Sequence, residues 1–472
     1  MPLTRRTLLG SAAAAAAFPF LPAGAQDAAP LPDLRSRALA EMRRAKVPAL
    51  AVAVVRNGRT VAAEGFGLAS IPFSASATEH SLFHLGSVSK QFTAATVVAL
   101  VREARIALDE PIGRYVRDLP PSLSGRPISA LLSHTSGVPD YEGLPGFDAD
   151  RRIERAEFIR KVGAMPSEFA PGQAWNYSNS GYVLLGYLIA DVTGRTYHEA
   201  VTERLLKPAA FAEARFDDAT AIIAGRVEPY VVEGEEVRHA QQMDGDYSGW
   251  PDGGLLISAA DAGRWESALQ GGRVIPPADF ALMTKPVTLS TGHSAGYGFG
   301  WFTDRLRGQE VHYHTGSVPG FLAYYLRFPA ARVGVLVLVN VESGPAVMAM
   351  RNVALEAAEA AAPGSTYLSL SPIKDRDPTL TRQALAMIMR GKEPLDPARL
   401  GPEITVLPAE SRAGLGPPNR ARLGAPRTFE LVEAYDEGTA RVRRYRGVFA
   451  ARTEYYAFAY DSAGRIFRVR TI

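Results

Sequence analysis

The sequence predicts an α+β fold whose main sheet is antiparallel and is assembled from distant parts of the chain. Residues 49–67 contain two β-rich runs joined by Asn57-Gly58, a dipeptide typical of tight hairpins. Four further β-rich runs lie between 297 and 340. Helical patterns, among them the mostly apolar run 87–106, fall between these two sets of strands. This mixed order favours one shared sheet with an inserted helical region over a doubly wound parallel fold.

Helices with recognisable ends accompany these strands. An amphipathic pattern covers 34–46, and Gly194 ends the apolar helical run at 180–194. An alanine-rich helix is predicted at 345–362, followed by Pro363-Gly364. We therefore expect residues 30–365 to form one large domain.

The residues after 365 are predicted to form a linker helix and a small C-terminal α+β domain, 366–472. A helical run at 380–392 precedes a Pro/Gly-rich stretch at 414–426 and four alternating β-rich runs. Arginines alternate with apolar residues in these runs. This pattern is typical of a solvated sheet face, and a polyanion-binding face is the alternative.

Composition excludes several classes of function. The chain has 472 residues with 52 basic and 49 acidic side chains, so its near-neutral balance predicts neither a nucleic-acid partner nor an anionic membrane surface. It contains no cysteine, which excludes disulfides, thiol nucleophiles, thiolate zinc sites and iron–sulfur clusters. No cofactor is predicted.

The N-terminal residues 1–25 have the features of an export signal. Arg5-Arg6 precede the apolar run Ser11–Leu21, and Ala23-x-Ala25 is a small-residue cleavage pattern. The paired arginines resemble a twin-arginine signal, with an ordinary secretory signal or a lipid-free anchor as the alternative. We predict a bacterial periplasmic or secreted protein with no membrane span.

A possible nucleophile elbow lies at Gly292–Gly296, where Ser294 fits the pattern G-x-S-x-G. An elbow serine lies between a strand and a helix, whereas the residues after Ser294 are aromatic, glycine-rich and strand-like. His312 and His314 also follow too soon for the triad order of that fold. We therefore predict that this segment is a loop and not a catalytic elbow.

Ser87 and Lys90 form a better candidate at the start of the helical run 87–106. Their i, i+3 spacing places both side chains on one helix face. A buried amine loses hydration and becomes a base, which a serine hydroxyl needs in order to attack at neutral pH. Simple N-capping by Ser87 is the alternative interpretation.

Two further motifs carry polar side chains in the order required for such chemistry. Tyr177 and Asn179 precede a helix, so a phenol could move a proton and an amide could hold a substrate amide, unless Tyr177 only packs and Asn179 only caps. His312 and His314 share a strand face and precede Thr315-Gly316-Ser317.

The segment Thr315-Gly316-Ser317 suggests a binding edge. A strand edge there would align a peptide-like substrate and offer the Ser317 N–H to an oxyanion. The alternative is a metal pair made by the two histidines. No further metal-ligand pattern accompanies them, so no metal site is predicted.

The ordered motifs S-x-x-K, Y-x-N and H-T-G resemble those of the penicillin-recognising serine hydrolases, which include class C β-lactamases, DD-peptidases, D-aminopeptidases and related esterases. The resemblance covers about 30–365 and includes "LLSHTSGVPDY", "GGLLISAADAGRW" and "HTGSVPGF". It implies a β-lactamase/transpeptidase-like antiparallel sheet with helices on both faces. The tail loosely resembles the NTF2-like accessory domains attached to some of these enzymes.

The resemblance also implies roles for individual residues. Ser87 would attack the carbonyl, Lys90 and Tyr177 would share acid and base work, and the N–H groups of Ser87 and Ser317 would form the oxyanion hole. Asn179, His314, Thr315 and Gly316 would bind the substrate. Tyr177 would activate the water that releases the acyl group, and His134 in the earlier "HTSG" would be structural.

One departure from the family pattern narrows the expected substrate. The third motif of true β-lactamases opens with lysine, and here it opens with His314, which is mostly neutral at pH 7. The expected function is therefore hydrolysis of small esters or D-amino-acid amides and peptides, including cell-wall peptides. Alternatives are a β-lactamase or DD-carboxypeptidase, and a non-catalytic cell-wall or β-lactam sensor. The sequence does not predict an oligomeric state.

Overall fold

A computed structural model describes residues 31, 33–145, 153–218, 220–241, 250–390, 395–414, 423–450 and 452–471. The predicted export segment 1–25 lies outside the described residues. Among those described, no helix combines the length and the apolar character that crossing a membrane requires.

The strands begin and end as follows: β1 Ala49–Arg56, β2 Arg59–Ser70, β3 Ala75–Ser76, β4 Phe83–His84, β5 Arg215–Phe216, β6 Tyr230–Glu233, β7 Glu236–His239, β8 Leu255–Ile257, β9 Phe302–Leu306, β10 Gln309–Val318, β11 Phe321–Phe328, β12 Val333–Val339, β13 Val341–Glu342, β14 Thr428–Glu437, β15 Ala440–Val448, β16 Thr453–Tyr460 and β17 Ile466–Thr471.

The helices are α1 Leu34–Ala45, α2 Lys90–Arg102, α3 Pro121–Ser124, α4 Ile128–Leu132, α5 Arg155–Ala164, α6 Asn179–Thr193, α7 Tyr197–Val201, α8 Ala259–Gly271, α9 Pro277–Thr284, α10 Gly344–Ala361, α11 Pro378–Met389, α12 Pro402–Thr405 and α13 Ala409–Gly414.

The main sheet has seven strands in the order β3-β2-β1-β12-β11-β10-β9. Strand β1 pairs antiparallel with β12, so that Val52 lies opposite Val337. The hairpin between β1 and β2 turns at Asn57 and Gly58, whose φ angles of 53° and 75° fit the predicted tight turn. The predicted α+β class with a shared antiparallel sheet is therefore confirmed.

Strand β1 shows why helices cover both faces of this sheet. Successive side chains of a strand point to opposite faces. The alanines at 49, 51 and 53 belong to a core formed with α2, α6 and α8, and Leu50, Val52 and Val54 belong to a second core formed with α1 and α10. Gly263 brings α8 against β2, because a Cβ there would lie 2.6 Å from Thr60 Oγ1. Both faces are therefore buried.

Two predicted boundaries are wrong, and glycine or left-handed backbone explains each. The helix expected over 87–106 ends at Arg102, because Ala104 adopts a φ of 55°. The strand expected from Tyr297 begins only at Phe302. Gly296 and Gly300 have φ angles of 66° and 75°, which bend the chain before the strand starts.

The C-terminal residues form a separate four-stranded meander in the order β14-β15-β16-β17. Their own core packs α11 and α12 against one face of this sheet. Buried Arg444 on β15 joins this sheet to the main sheet, since its guanidinium contacts Asp304 of β9 at 2.6 Å and also pairs with Glu433. The division into domains at 365 and the NTF2-like comparison stay predictions.

Candidate active site

Ser87 lies in a 3-10 turn, Gly86–Ser89, that leads directly into α2. In a 3-10 turn the residues i and i+3 are eclipsed, so Lys90 stands next to Ser87. The distance from Lys90 Nζ to Ser87 Oγ is 3.1 Å. Gly86 has a φ of 54°, and a Cβ there would lie 2.8 Å from the Ser317 nitrogen. The turn therefore needs glycine, and it lies against the third motif.

Lys90 is completely buried and is held by three contacts. In addition to Ser87, its Nζ contacts Asn179 Oδ1 at 2.6 Å and the Asp252 carbonyl oxygen at 2.8 Å. Burial lowers the pKa of Lys90 to about 8, although Asp252, Asp140 and Glu142 oppose this change. An appreciable fraction of this amine is therefore unprotonated near neutral pH.

The Tyr177 ring also packs against Lys90. The Lys90 ammonium nitrogen is 4.8 Å from the centroid of the Tyr177 ring, and the His134 ring packs 4.2 Å from the same ring. The Tyr177 hydroxyl is buried and makes no hydrogen bond of normal geometry to any described residue. Burial raises the pKa of Tyr177 well above its usual range, and the Ser87 hydroxyl offsets only part of this rise. Tyr177 is therefore a protonated phenol.

Asn179, the first residue of α6, links Lys90 to two carboxylates that the sequence analysis missed. Its amide oxygen accepts from Lys90, and its amide nitrogen donates to Asp140 Oδ2 at 3.1 Å and to Glu142 Oε1 at 3.2 Å. The Asn179 backbone N–H also donates to Asp140 Oδ2 at 3.1 Å. The Asn179 side chain is thus fully occupied by protein partners.

The pKa values of these two carboxyl groups are raised above their usual range. Burial raises the pKa of Asp140, and burial together with the neighbouring Asp140 raises the pKa of Glu142 to about 7. A third carboxyl, Asp252, accepts a hydrogen bond from the Tyr141 hydroxyl at 2.9 Å, and burial raises its pKa as well. Glu142 is exposed at the surface of the site, whereas Asp252 lies behind Lys90.

His314 on β10 is a neutral imidazole with both nitrogens occupied. Its Nδ1 is 2.6 Å from the Thr315 carbonyl, which can only accept, so Nδ1 carries the proton and Nε2 accepts from the Tyr297 hydroxyl at 3.0 Å. Burial, and then the charge of Lys90, lowers the pKa of His314 to about 3. Because both ring nitrogens of His314 already have protein partners, the structure does not favour the predicted contact between His314 and a substrate.

The segment of β10 that follows His314 presents an open strand edge. β9 pairs with β10 only as far as Tyr313, while β11 pairs with β10 up to Val318. Thr315 and Ser317 are exposed, and Gly316 is packed so closely that a Cβ would lie 2.1 Å from the Leu85 carbonyl oxygen. The predicted substrate-binding edge therefore lies beside the Ser87 turn.

The two histidines of the third motif contact different side chains. Buried His312 packs against Phe280 and Trp301, whereas His314 contacts Tyr297. Within the part of the chain that the structure describes, no group of three or more His, Asp or Glu residues is arranged to hold a metal ion.

An aromatic wall encloses this side of the site. It consists of six rings that pack with centroid distances of 4.2 to 6.4 Å: His134, Trp175, Tyr177, Tyr297, Phe302 and His314. His134 also accepts the Ser178 backbone N–H at Nδ1, 3.1 Å away, and so fixes the backbone beside Tyr177. These contacts place His134 directly beside Tyr177, and the structural role of His134 stays a prediction.

The element that follows the Gly292–Gly296 segment is strand β9, so no helix begins directly after Ser294. The Ser294 hydroxyl accepts the Gly296 backbone N–H at 3.1 Å, and the Ser294 carbonyl accepts from Arg468 at 2.7 Å. His293 pairs with the Glu403 carboxylate and stacks on Phe467. We call residues 291–296 the docking loop, because they contact the C-terminal residues.

Comparisons with known proteins identify relatives of this chain. The chain is 28% identical over 314 residues to penicillin-binding protein 4* of Bacillus subtilis (strain 168), a match that covers 61% of this chain and 68% of the relative. It is 27% identical over 301 residues to a D-aminopeptidase of Gluconobacter oxydans (strain 621H), covering 62% of this chain and only 56% of that enzyme.

A solved structure extends the likeness to the C-terminal residues. The octameric penicillin-binding protein homologue from Pyrococcus abyssi shares the fold with a TM-score of 0.59 and 21% identity, over 92% of this chain and 94% of that one. The sequence profile of the Beta-lactamase family matches residues 34–360. The chain is therefore a member of the Beta-lactamase family.

Proposed function

We propose that this chain is a serine hydrolase that forms an acyl-enzyme on Ser87 and cleaves amides or short peptides of D-amino acids that carry a free amino group. The observation that carries this proposal is the hydrogen-bonded chain from Ser87 through Lys90 and Asn179 to Asp140 and Glu142. One end of this chain supplies a nucleophile with its base, and the other end places a carboxylate at the surface of the site.

The contacts of Lys90 favour it as the base for acylation. Asn179 Oδ1 and the Asp252 carbonyl oxygen can only accept, so a neutral Lys90 amine directs its two hydrogens to them. Its lone pair then faces the Ser87 hydroxyl. Ser87 Oγ bonds to the substrate carbonyl carbon while its proton moves to Lys90 Nζ.

The remaining steps use groups beside this pair. The N–H groups of Ser87 and Ser317 are proposed to stabilise the oxyanion, to which one well-placed donor contributes about 3–4 kcal/mol. The bond between the carbonyl carbon and the leaving nitrogen breaks as Tyr177 donates its proton to that nitrogen, and Tyr177 then regains a proton from Lys90. Burial raises the pKa of Tyr177 and keeps the phenol protonated, which disfavours the predicted base role in deacylation, and the phenol can pass its proton on only because Lys90 replaces it. Water then attacks the ester carbonyl and gives its proton to Lys90, the bond between the carbonyl carbon and Ser87 Oγ breaks, and Lys90 returns that proton to Ser87 Oγ.

The charges around the site favour a substrate with an amine. Exposed Glu142 lies beside Asn179, and because its pKa is about 7 it carries a negative charge in a substantial fraction of molecules at neutral pH. Neutral His314 stands where related β-lactamases carry a lysine. A free substrate ammonium would pair with Glu142. A substrate carboxylate, as in β-lactams or DD-peptides, would find no cation at His314. Similarity to a D-aminopeptidase supports the same choice.

A panel of substrates tests this proposal. D-alanine p-nitroanilide should be cleaved faster than its L-enantiomer and faster than its N-acetyl derivative, and nitrocefin should be a poor substrate. Preference for the N-acetyl compound would contradict the proposed amine recognition. A stoichiometric burst of product without turnover would favour the sensor alternative.

The role of Glu142 is tested by Glu142→Gln, with Glu110→Gln as the control because Glu110 pairs with Arg114 on the surface. Glu142→Gln should raise KM for D-alanine p-nitroanilide by about tenfold, the value of a charge-assisted hydrogen bond near 1.4 kcal/mol, and leave p-nitrophenyl acetate unaffected. Equal effects on both substrates would contradict the assignment. Export to the periplasm or medium stays part of the proposal, and detection of the mature protein in a periplasmic fraction tests it.

A further inference from the structure

The docking loop fixes the last strand of the C-terminal unit against the catalytic sheet. His293 stacks on Phe467 with a centroid distance of 4.1 Å and an interplanar angle of 8°. Glu403, which is 97% buried, accepts from Thr291 Oγ1 at 2.6 Å and pairs with His293. These contacts place β17 alongside the aromatic wall.

Arg470 on β17 reaches into that wall. Its guanidinium carbon lies 4.5 Å from the Trp175 ring centroid and 5.0 Å from that of Phe302, and its NH2 donates to the Ala295 carbonyl at 3.1 Å. No carboxylate of the described residues lies within 4 Å of this guanidinium. Its described partners are therefore the two aromatic faces and the backbone carbonyls of Ala295 and Val469, in a partly desolvated position where cation–π contacts are strengthened.

The two rings that Arg470 contacts support two groups of the site. Trp175 lies two residues before Tyr177, and their ring centroids are 6.4 Å apart. Phe302 packs 5.1 Å from His314 and 4.8 Å from Tyr297, whose hydroxyl holds His314 Nε2. Displacement of Trp175 or Phe302 would therefore change the position of Tyr177 or His314.

We infer that Arg470 is a positioning residue, through which the C-terminal unit completes the active site of the catalytic sheet. Its cation holds Trp175 and Phe302 in place, and these rings orient the Tyr177 phenol and the His314 imidazole for the reaction at Ser87. This inference rests on the proposed function, since it needs Ser87 to react.

The test compares full-length Arg470→Met and Arg470→Lys with Arg465→Ala as the control. Met keeps an apolar stem without the cation, and Lys restores a cation without the planar group. The exposed Arg465 side chain pairs with Asp461 within the same unit. Each protein is followed for the rate at which a fluorophosphonate probe adds to Ser87, by intact mass and peptide mapping, and for kcat and KM on D-alanine p-nitroanilide, whose leaving nitrogen would take the Tyr177 proton.

Arg470→Met should lower kcat and the acylation rate by roughly tenfold to a hundredfold with KM changed less than about twofold. Arg470→Lys should recover part of this loss, and Arg465→Ala should match the wild type. If Arg470 only stabilised the fold, Arg470→Met and Arg470→Lys would lose kcat to the same extent, and each loss would follow the decrease in melting temperature.

Arg470→Met with wild-type kcat and acylation rate would overturn the inference. Failure of the proposed function is a different result, because the wild type itself would then show no adduct on Ser87. If Arg470→Met does not fold, Trp175→Phe, which keeps a ring with a weaker cation–π contact, replaces it and should lower kcat in the same direction. Unchanged kcat in that variant would equally overturn the inference.

Discussion

Two serine-containing segments of this chain, the Ser87 turn and the docking loop around Ser294, look similar in sequence and differ in their surroundings. Each has a serine near glycines and a potential base nearby. At Ser87 the base is a buried amine whose other contacts are pure acceptors. At Ser294 the neighbouring His293 is paired with Glu403, and the serine hydroxyl accepts a backbone N–H.

This contrast indicates that a candidate nucleophile is recognised by the hydrogen bonds of its neighbouring base and not by a short sequence pattern. In the proposed mechanism, the unprotonated Lys90 amine directs its hydrogens to protein acceptors and its lone pair to Ser87, and burial raises the unprotonated fraction by lowering the pKa to about 8. The docking loop uses its polar groups to join two units of the chain. Four predictions test this contrast.

The largest effect is expected from exchanging the two serines for alanine. Ser87→Ala should lower kcat by at least ~10⁴-fold, because it removes the atom that bonds to the substrate. Ser294→Ala should retain kcat within about twofold, since Arg468 binds the carbonyl and not the hydroxyl. Kinetics with p-nitrophenyl acetate measure both variants, and a large loss in Ser294→Ala would restore the elbow interpretation.

The next effect concerns the base. Lys90→Met should slow acylation by about 10³-fold, and Lys90→Arg should not restore it, because a guanidinium stays protonated. Lys161→Met is a matched control, since Lys161 pairs with Glu157 on α5 away from the site. Stopped-flow kinetics measure the acylation rate of each variant. An undiminished acylation rate in Lys90→Met would contradict the proposed role of Lys90 as the base.

The pH dependence follows from the same amine. A base must be unprotonated, and the pKa of Lys90 is about 8, so kcat/KM should rise as pH increases and level off above pH 8. At pH 6 the rate should be about a hundredfold below the plateau. An ester substrate without an amine, corrected for spontaneous hydrolysis, avoids titration of the substrate. A profile that falls between pH 6 and 8 would contradict this assignment.

The smallest effect on activity is expected in the docking loop. His293→Ala leaves the buried Glu403 carboxylate with fewer partners and should lower the free energy of unfolding by about 1–3 kcal/mol. His80→Ala, an exposed histidine beside Glu213, is the control. Urea denaturation followed by tryptophan fluorescence measures both. Equal midpoints for the two variants would show that this contact does not stabilise the docked arrangement.

Features that depend on neighbours in sequence could be predicted. The Asn57-Gly58 turn, the end of α6 at Gly194 and the pairing of Ser87 with Lys90 follow from local backbone preferences and one-turn spacing. The shared antiparallel sheet followed from strands at both ends of the domain. Each of these needs only rules that act over a few residues or over the order of elements.

Features that depend on residues meeting across the fold could not be predicted from single patterns. Asp140 and Glu142 lie nearly 40 positions before Asn179 in a stretch that reads as a loop, and no periodicity connects them. Arg470 belongs to an alternating run that is typical of a solvated strand face, yet its guanidinium lies between two aromatic rings. Only the three-dimensional arrangement identifies these partners.

The pairing of β1 with β12 has a consequence for how the protein is made. Val52 of β1 pairs with Val337 of β12, so almost 290 further residues must be synthesised after β1 before this neighbouring strand exists. Until then one edge of the first hairpin is a bare template for unwanted strand addition. Slow maturation, with a need for protection from aggregation while the nascent chain is incomplete, is thus built into the connectivity of this sheet.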